Sequence, residues 1–109
     1  MTNMVANKDQ CATESARLRD RAAECRLTVI ESQLALGFTL CALAETEIRY
    51  GRPGEALKLV NKLWHHAQTI RTHLDEPDHL PGTAISDIRQ QLTKLTERTA
   101  EIESNLRRR

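Results

Sequence analysis

The residues able to do chemistry in this chain are four histidines, three cysteines, scattered serines and two arginine clusters. His65 and His66 are adjacent, His73 lies two turns beyond His66, and His79 ends the run Asp75-Glu76-Pro77-Asp78-His79. A helix chelates a metal with side chains on one face, as an i,i+4 pair provides, whereas neighbours point about 100° apart. Two turns is too far for His66 and His73 to share an ion. Glu76 and His79 have the Glu-x-x-His spacing of carboxylate-bridged di-iron bundles, where the motif lies mid-helix and recurs with further inward glutamates. Here it occurs once, beside Pro77 and Pro81. The histidines read as solvated or interface residues, and neither a metal site nor a cofactor is expected.

Cys11, Cys25 and Cys41 leave at least one thiol unpaired, which argues against a secreted disulfide framework. Each falls on an apolar stripe, with no Cys-x-x-Cys motif and no Cys/His cluster, so small buried hydrophobes are the expectation. Ser15, Ser32, Ser86 and Ser104 stand in helical pattern with no nucleophile elbow, and no glycine-rich loop could cradle a phosphate. No catalytic residue and no small-molecule substrate is expected, so the chain does not read as an enzyme. Arg17, Arg19 and Arg21 interleave with Glu14, Asp20 and Glu24, which suits ion pairs along a solvated helix face. Arg107-Arg108-Arg109 offers phosphate contacts without base readout, so a nucleic-acid-associated regulator using this tail is the alternative function.

Composition narrows the partners further. The 109 residues carry a net charge of +1, with 39% hydrophobic, 28% charged and 3% aromatic residues. That length suffices for one helical domain with its own core. No strongly basic region announces a nucleic-acid footprint. No unbroken run of about 18 apolar residues is present, so no membrane span is expected. The N-terminus has neither the basic nor the apolar region of a signal peptide, which leaves the cytoplasm as the expected location.

Helices must position whatever the chain does. Three seams run in 3-4 alternation: Leu27, Ile30, Leu34, Gly37, Cys41, Ala44, Ile48; then Ala56, Val60, Leu63, Ala67, Ile70, Leu74; then Ile85, Ile88, Leu92, Leu95, Thr99, Ile102, Leu106. That spacing keeps each set on one helix face, at the a and d positions of a heptad. Between Lys8 and Tyr50 there is no proline and only Gly37, so the first helix is expected over 8–50, capped by Asn7 with Gln10. Gly51 ends it and Pro53 opens a second helix over 53–74. The acidic, proline-containing linker leads to Thr83, the expected cap of a third helix over 84–106.

Folding the first two helices about Arg52 sets Ile48 opposite Ala56, Cys41 opposite Leu63, Gly37 opposite Ala67 and Ile30 opposite Leu74. A second reflection about His79 sets Leu74 opposite Ile85 and Leu63 opposite Leu95. The expected fold is all-α, an up-down-up antiparallel three-helix bundle with a very long first helix. Leu36, Leu40, Leu43 and Tyr50 widen the first seam, and Leu57 and Trp64 flank the second. The third helix is expected to cover them, the alternative being an apolar groove for a partner helix.

The run Ala44-Glu45-Thr46-Glu47-Ile48-Arg49-Tyr50-Gly51-Arg52-Pro53-Gly54-Glu55-Ala56-Leu57 resembles the turn of a tetratricopeptide repeat, with Gly at the turn and Ala five residues on. The resemblance covers residues 34–70 and implies a helical hairpin whose activity is protein binding. It carries no peptide-clamp residues across. No second copy follows at the family's ~34-residue period, and Pro53 stands where the family has an aromatic. The segment from Cys41 to Glu47 is also similar to short bacterial helical proteins, a likeness that implies no function.

Helix lengths do not match. At ~1.5 Å per residue the first helix is about 65 Å long and the second about 32 Å. Residues 8–26 therefore project past the hairpin, carrying a stripe of Cys11, Leu18, Ala22, Cys25 and Val29. Such an overhang is marginal alone in water, so it either bends back near Thr28-Val29 or pairs with another copy. The chain reads as a protein-interaction or scaffold module, homo-oligomeric through this overhang. Its candidate interface is Cys11, Leu18, Ala22, Cys25, Val29, Leu36, Leu40 and Trp64.

Overall fold

The computed structural model describes residues 2–75 and 80–108, with side chains from Thr13 onward. Three helices, α1 (Thr2–Arg49), α2 (Pro53–Asp75) and α3 (Gly82–Arg107), pack against one another. No strand occurs among the described residues. The fold is an all-α three-helix bundle.

Local sequence accounts for where the helices stop and where they do not. The first helix begins at Thr2 rather than Lys8, so Asn7 lies inside it. A capping side chain contributes about 1 kcal/mol, too little to start a helix where the residues upstream are neither Gly nor Pro. At the other end Gly51 takes φ +72°, the left-handed conformation that Gly adopts without steric penalty. The Arg52 amide donates to the Glu47 carbonyl at 2.8 Å and the Gly51 amide to Ile48 at 3.1 Å, which closes a Schellman turn. Tyr50, expected as the last helical residue, belongs to this turn. Arg52 then opens α2, its carbonyl accepting from the Ala56 amide at 3.1 Å, with Pro53 in the first position, where its missing N–H costs nothing.

The start of α3 differs from the expectation. Pro81, at φ −56° and ψ 138°, is the N-cap, makes no side-chain capping bond, and α3 begins at Gly82. The Ile85 amide donates to the Pro81 carbonyl at 3.0 Å. Proline already has a helix-compatible φ, so the helix starts before Thr83 can act as its cap.

The three seams form the core. Ile30, Cys41, Ala44, Ala56, Val60, Leu63, Ile70 and Leu95 are fully buried, and Leu34, Ala67, Ile88, Leu92, Thr99 and Ile102 nearly so. Leu27, Ile48, Leu74, Ile85 and Leu106, at the ends of the seams, pack half-buried against them. The Thr99 hydroxyl donates to the Leu95 carbonyl at 2.8 Å and lies 3.8 Å from the Cys41 thiol, so this buried polar group is satisfied. A Cβ on Gly37 would sit 2.8 Å from Leu95 Cδ2. It is thus α3, rather than Ala67 alone, that makes use of the missing side chain. Cys41–Thr99 and Gly37–Leu95 join residues with the same separation of 58, so α1 and α3 run parallel and level.

That register leaves α1 unmatched. Its 48 residues span about 72 Å at the helical rise, nearly the whole 77 Å of the molecule. Gly82, the first residue of α3, comes level with Glu24, and from Thr13 to Ala22 every residue is exposed. The helix does not bend at Thr28-Val29 to form a fourth element. It stays continuous, with the Thr28 hydroxyl donating to the Glu24 carbonyl at 3.0 Å.

Candidate functional site

One face of α1 is apolar and uncovered. Leu18 is 65% exposed, Val29 42%, Leu36 45%, Leu43 47% and Tyr50 72%. Ala22, Cys25, Ser32 and Thr39 are exposed as well, and Thr46 is half-exposed. These residues form two interleaved heptad rows, Ala22-Val29-Leu36-Leu43-Tyr50 and Leu18-Cys25-Ser32-Thr39-Thr46. Together they repeat the 3-4 alternation of the core seam on a different side of the same helix. Single exposed apolar residues are ordinary, but a continuous row is not.

Two polar members of this face, Thr39 and Thr46, are already satisfied. Thr39 donates to the Ala35 carbonyl at 3.0 Å and Thr46 to the Ala42 carbonyl at 2.8 Å. A hydroxyl bonded back to its own helix presents its methyl outward and leaves no donor to be stranded on burial. Charge is also sparse: between Leu27 and Ala44 the one charged residue is Glu31. As a result Thr13–Arg49 includes an 18-residue window of mean hydropathy 1.6, of which 28% is buried. By length and composition this helix could cross a bilayer, which the search for an unbroken apolar run missed because Glu31, Ser32 and Gln33 interrupt it. In the fold the same window supplies two apolar faces, one of them turned toward α2 and α3.

The candidate interface residues separate into two groups. Leu18, Ala22, Cys25, Val29 and Leu36 lie on the uncovered face. Leu40 and Trp64 pack half-buried against the core, and the Trp64 indole donates to Glu103 Oε2 of α3 at 2.7 Å. Trp64 therefore belongs to the α2–α3 joint. The side chain of Cys11 lies outside the described residues. The expectation that α3 covers the widening residues fails for Leu36, Leu43, Tyr50 and Leu57, the last 49% exposed. It fails because α3 docks on the Trp64 side of the hairpin. Leu43, Ser32, Thr39 and Thr46 join the site as residues the sequence reading did not assign to it. The signal that could have found Ser32, Thr39 and Leu43 is the charge-poor stretch from Leu27 to Ala44, whereas Thr46 lies past it between Glu45 and Glu47.

The remaining chemistry-bearing groups are dispersed. Among the described residues no three His, Cys, Asp or Glu come close enough to hold a metal ion. His66 Nδ1 bonds to the Gln33 side chain, joining α2 to α1. His65 is exposed and His73 half-buried; Glu76 and His79 lie outside the described residues. Burial pushes the Cys41 thiol above its ordinary value of 9.0, opposed by the Thr99 hydroxyl and by Arg98. Arg98 binds Glu45 at 2.5–2.7 Å between α3 and α1. Of the terminal arginines, Arg107 pairs with Glu103 at 2.9 Å, Arg108 is exposed, and Arg109 lies outside the described residues. No protein-family model, curated protein or solved structure matches this chain.

Proposed function

We propose that the chain is a non-enzymatic protein-interaction module that self-associates through α1. The observation that carries this reading is the uncovered apolar face, which runs unbroken from the overhang along the bundle to Tyr50. Covering a half-exposed leucine contributes on the order of 1 kcal/mol, so five such positions favour association without costing the monomer its fold. The resemblance of the α1–α2 turn to a tetratricopeptide hairpin supports the same class of activity. The terminal arginines support the nucleic-acid reading less, because Arg107 is engaged with Glu103.

Sedimentation of the full chain tests the proposal. The native protein sediments as a concentration-dependent dimer. The double variant Leu36→Glu, Leu43→Glu sediments as a monomer with unchanged helical circular dichroism, since both side chains face solvent. A native chain that stays monomeric at every concentration removes the proposal.

A further inference from the structure

Resting on that reading, we infer that the occupant of the α1 face is a second copy of this chain, bound antiparallel so that Cys25 of each copy meets Leu43 of the other. The first argument is length. The exposed rows extend along α1 from Leu18 to Thr46, about 42 Å of helix at 1.5 Å per residue, with Tyr50 in the turn just beyond, and cross from the overhang onto the bundle without interruption. An occupant matching all of it is a helix of equal length, and α1 itself, 48 residues long, is one. With a helix footprint ~10 Å wide, two such faces give on the order of 1,000 Å², the area at which a stable interface begins.

The second argument is volume. In an antiparallel pair each a position faces a d position of the partner helix. The two rows then interdigitate as Tyr50 with Leu18, Leu43 with Cys25, Leu36 with Ser32, Val29 with Thr39 and Ala22 with Thr46. At the centre, Leu43 on Cys25 and Leu36 on Ser32 each join a larger side chain to a smaller one, and Val29 on Thr39 joins two of similar size. These three layers therefore fill space comparably, with the bulkiest pair, Tyr50 on Leu18, at the ends. A parallel pair would stack Leu36 on Leu36 and Leu43 on Leu43 with Ser32, Thr39 and Thr46 layers between them. Thick and thin layers would alternate and leave voids.

Charge supplies the third argument. Glu47 Oε2 is buried without a hydrogen-bond partner, and its nearest cation, Arg52, is 3.8 Å away. The antiparallel register brings Arg21 of the second copy to this level, with Arg19 within one helical turn of it. It also lays the overhang, where Arg17, Arg19, Arg21 and Arg26 outnumber Glu14, Asp20 and Glu24, along the last turns of α1, where Glu45 and Glu47 outnumber Arg49. A bilayer fits the same face less well. The helix that would insert is bound along its core side to α2 and α3, and its overhang is densely charged.

Disulfide trapping reads the register in the full chain with Cys11→Ser as parent; Cys41 is buried and does not compete. Adding Leu43→Cys gives a covalent dimer under mild oxidation, whereas the parent gives none. A covalent dimer of the parent through Cys25 means a parallel pair and overturns the register while leaving self-association intact. If Leu43→Cys weakens association, spin labels on Cys25 of the parent supply the same reading. Antiparallel copies hold the two Cys25 levels about 27 Å apart along the axis (~18 residues of helical rise), and parallel copies hold them side by side. A label distance of the parallel kind overturns the inference. A monomer in sedimentation overturns both the inference and the proposal beneath it, and co-flotation of that monomer with vesicles of phosphatidylserine and phosphatidylcholine assigns the face to lipid instead.

Discussion

The outer faces of α1 and α3 invite comparison, because the two helices lie parallel and level and each gives one seam to the same core. Outside its seam, α3 exposes Asp87, Arg89, Lys94, Glu97 and Glu101. At the same height α1 exposes Val29, Ser32, Ala35, Leu36, Thr39, Ala42 and Leu43, with Glu31 as its one charge. Folding the monomer demands nothing of either outer face, so stability of the bundle cannot account for the difference. That difference is what the proposed self-association rests on. The pair of helices thereby separates two roles that periodicity alone merges: α3 is amphipathic once, and α1 is amphipathic on two sides.

The largest test contrasts the buried seam with the uncovered rows. Leu63 is fully buried and Leu36 is 45% exposed. Leu63→Ala leaves a cavity at the centre of the core and costs about 2–5 kcal/mol, while Leu36→Ala costs the monomer less than about 0.5 kcal/mol, as surface substitutions do. Urea denaturation at concentrations low enough to hold the chain monomeric measures both. Equal losses would mean that Leu36 is part of the folding core, and the distinction between the two faces of α1 would collapse.

Gly37→Ala gives a smaller effect and tests how tightly α3 seats on α1. Alanine in place of glycine inside a helix gains about 1 kcal/mol. Here the new Cβ would stand 2.8 Å from Cδ2 of Leu95, a side chain with no exposure. Overpacking of this kind costs about 1–3 kcal/mol, so the net change is a loss of about 1 kcal/mol in the same assay. A gain would show that Leu95 yields, and that the parallel register of α1 and α3 is softer than their contacts suggest.

Much of this architecture is legible in the residues, and what is not has identifiable causes. Seam burial follows from 3-4 spacing, because that spacing fixes a face whatever the neighbours are. The end of α1 follows from Gly51, because a left-handed residue stops a helix regardless of context. The helix starts resist reading: a cap at Asn7 would contribute only about 1 kcal/mol against upstream residues free to continue the helix, and before Thr83 it is Pro81 that takes the N-cap position. The uncovered face resists it for a different reason. A third helix can dock on either side of a two-helix hairpin, and its single seam matches both. In the fold α3 lies beside Trp64, bonded to it through Glu103, and leaves Leu36 and Leu43 open. The candidate site was thus visible as an excess of apolar positions on α1, with its occupant undetermined by the pattern.

The smallest effect comes from two thiols on α1 that report its two faces separately. Cys25 is exposed and Cys41 is fully buried, its thiol pushed above 9.0 by desolvation. Because the folded pKa lies above the unfolded one, the folded state holds its proton more tightly once pH passes about 9, and the unfolded state is favoured by its easier ionisation. The contribution is fully present below that pH and is lost as pH rises toward the folded value. The native chain should therefore lose a little stability above pH 9, and Cys41→Ala should remove that slope while lowering stability at every pH through the cavity it leaves. Thiol labelling gives the kinetic counterpart. Cys25, being exposed, reacts directly, whereas Cys41 reacts only when the bundle opens. If Cys41 labels as fast as Cys25 in native protein, the seam side of α1 is as accessible as the outer side, and the contrast between the two faces fails at its centre.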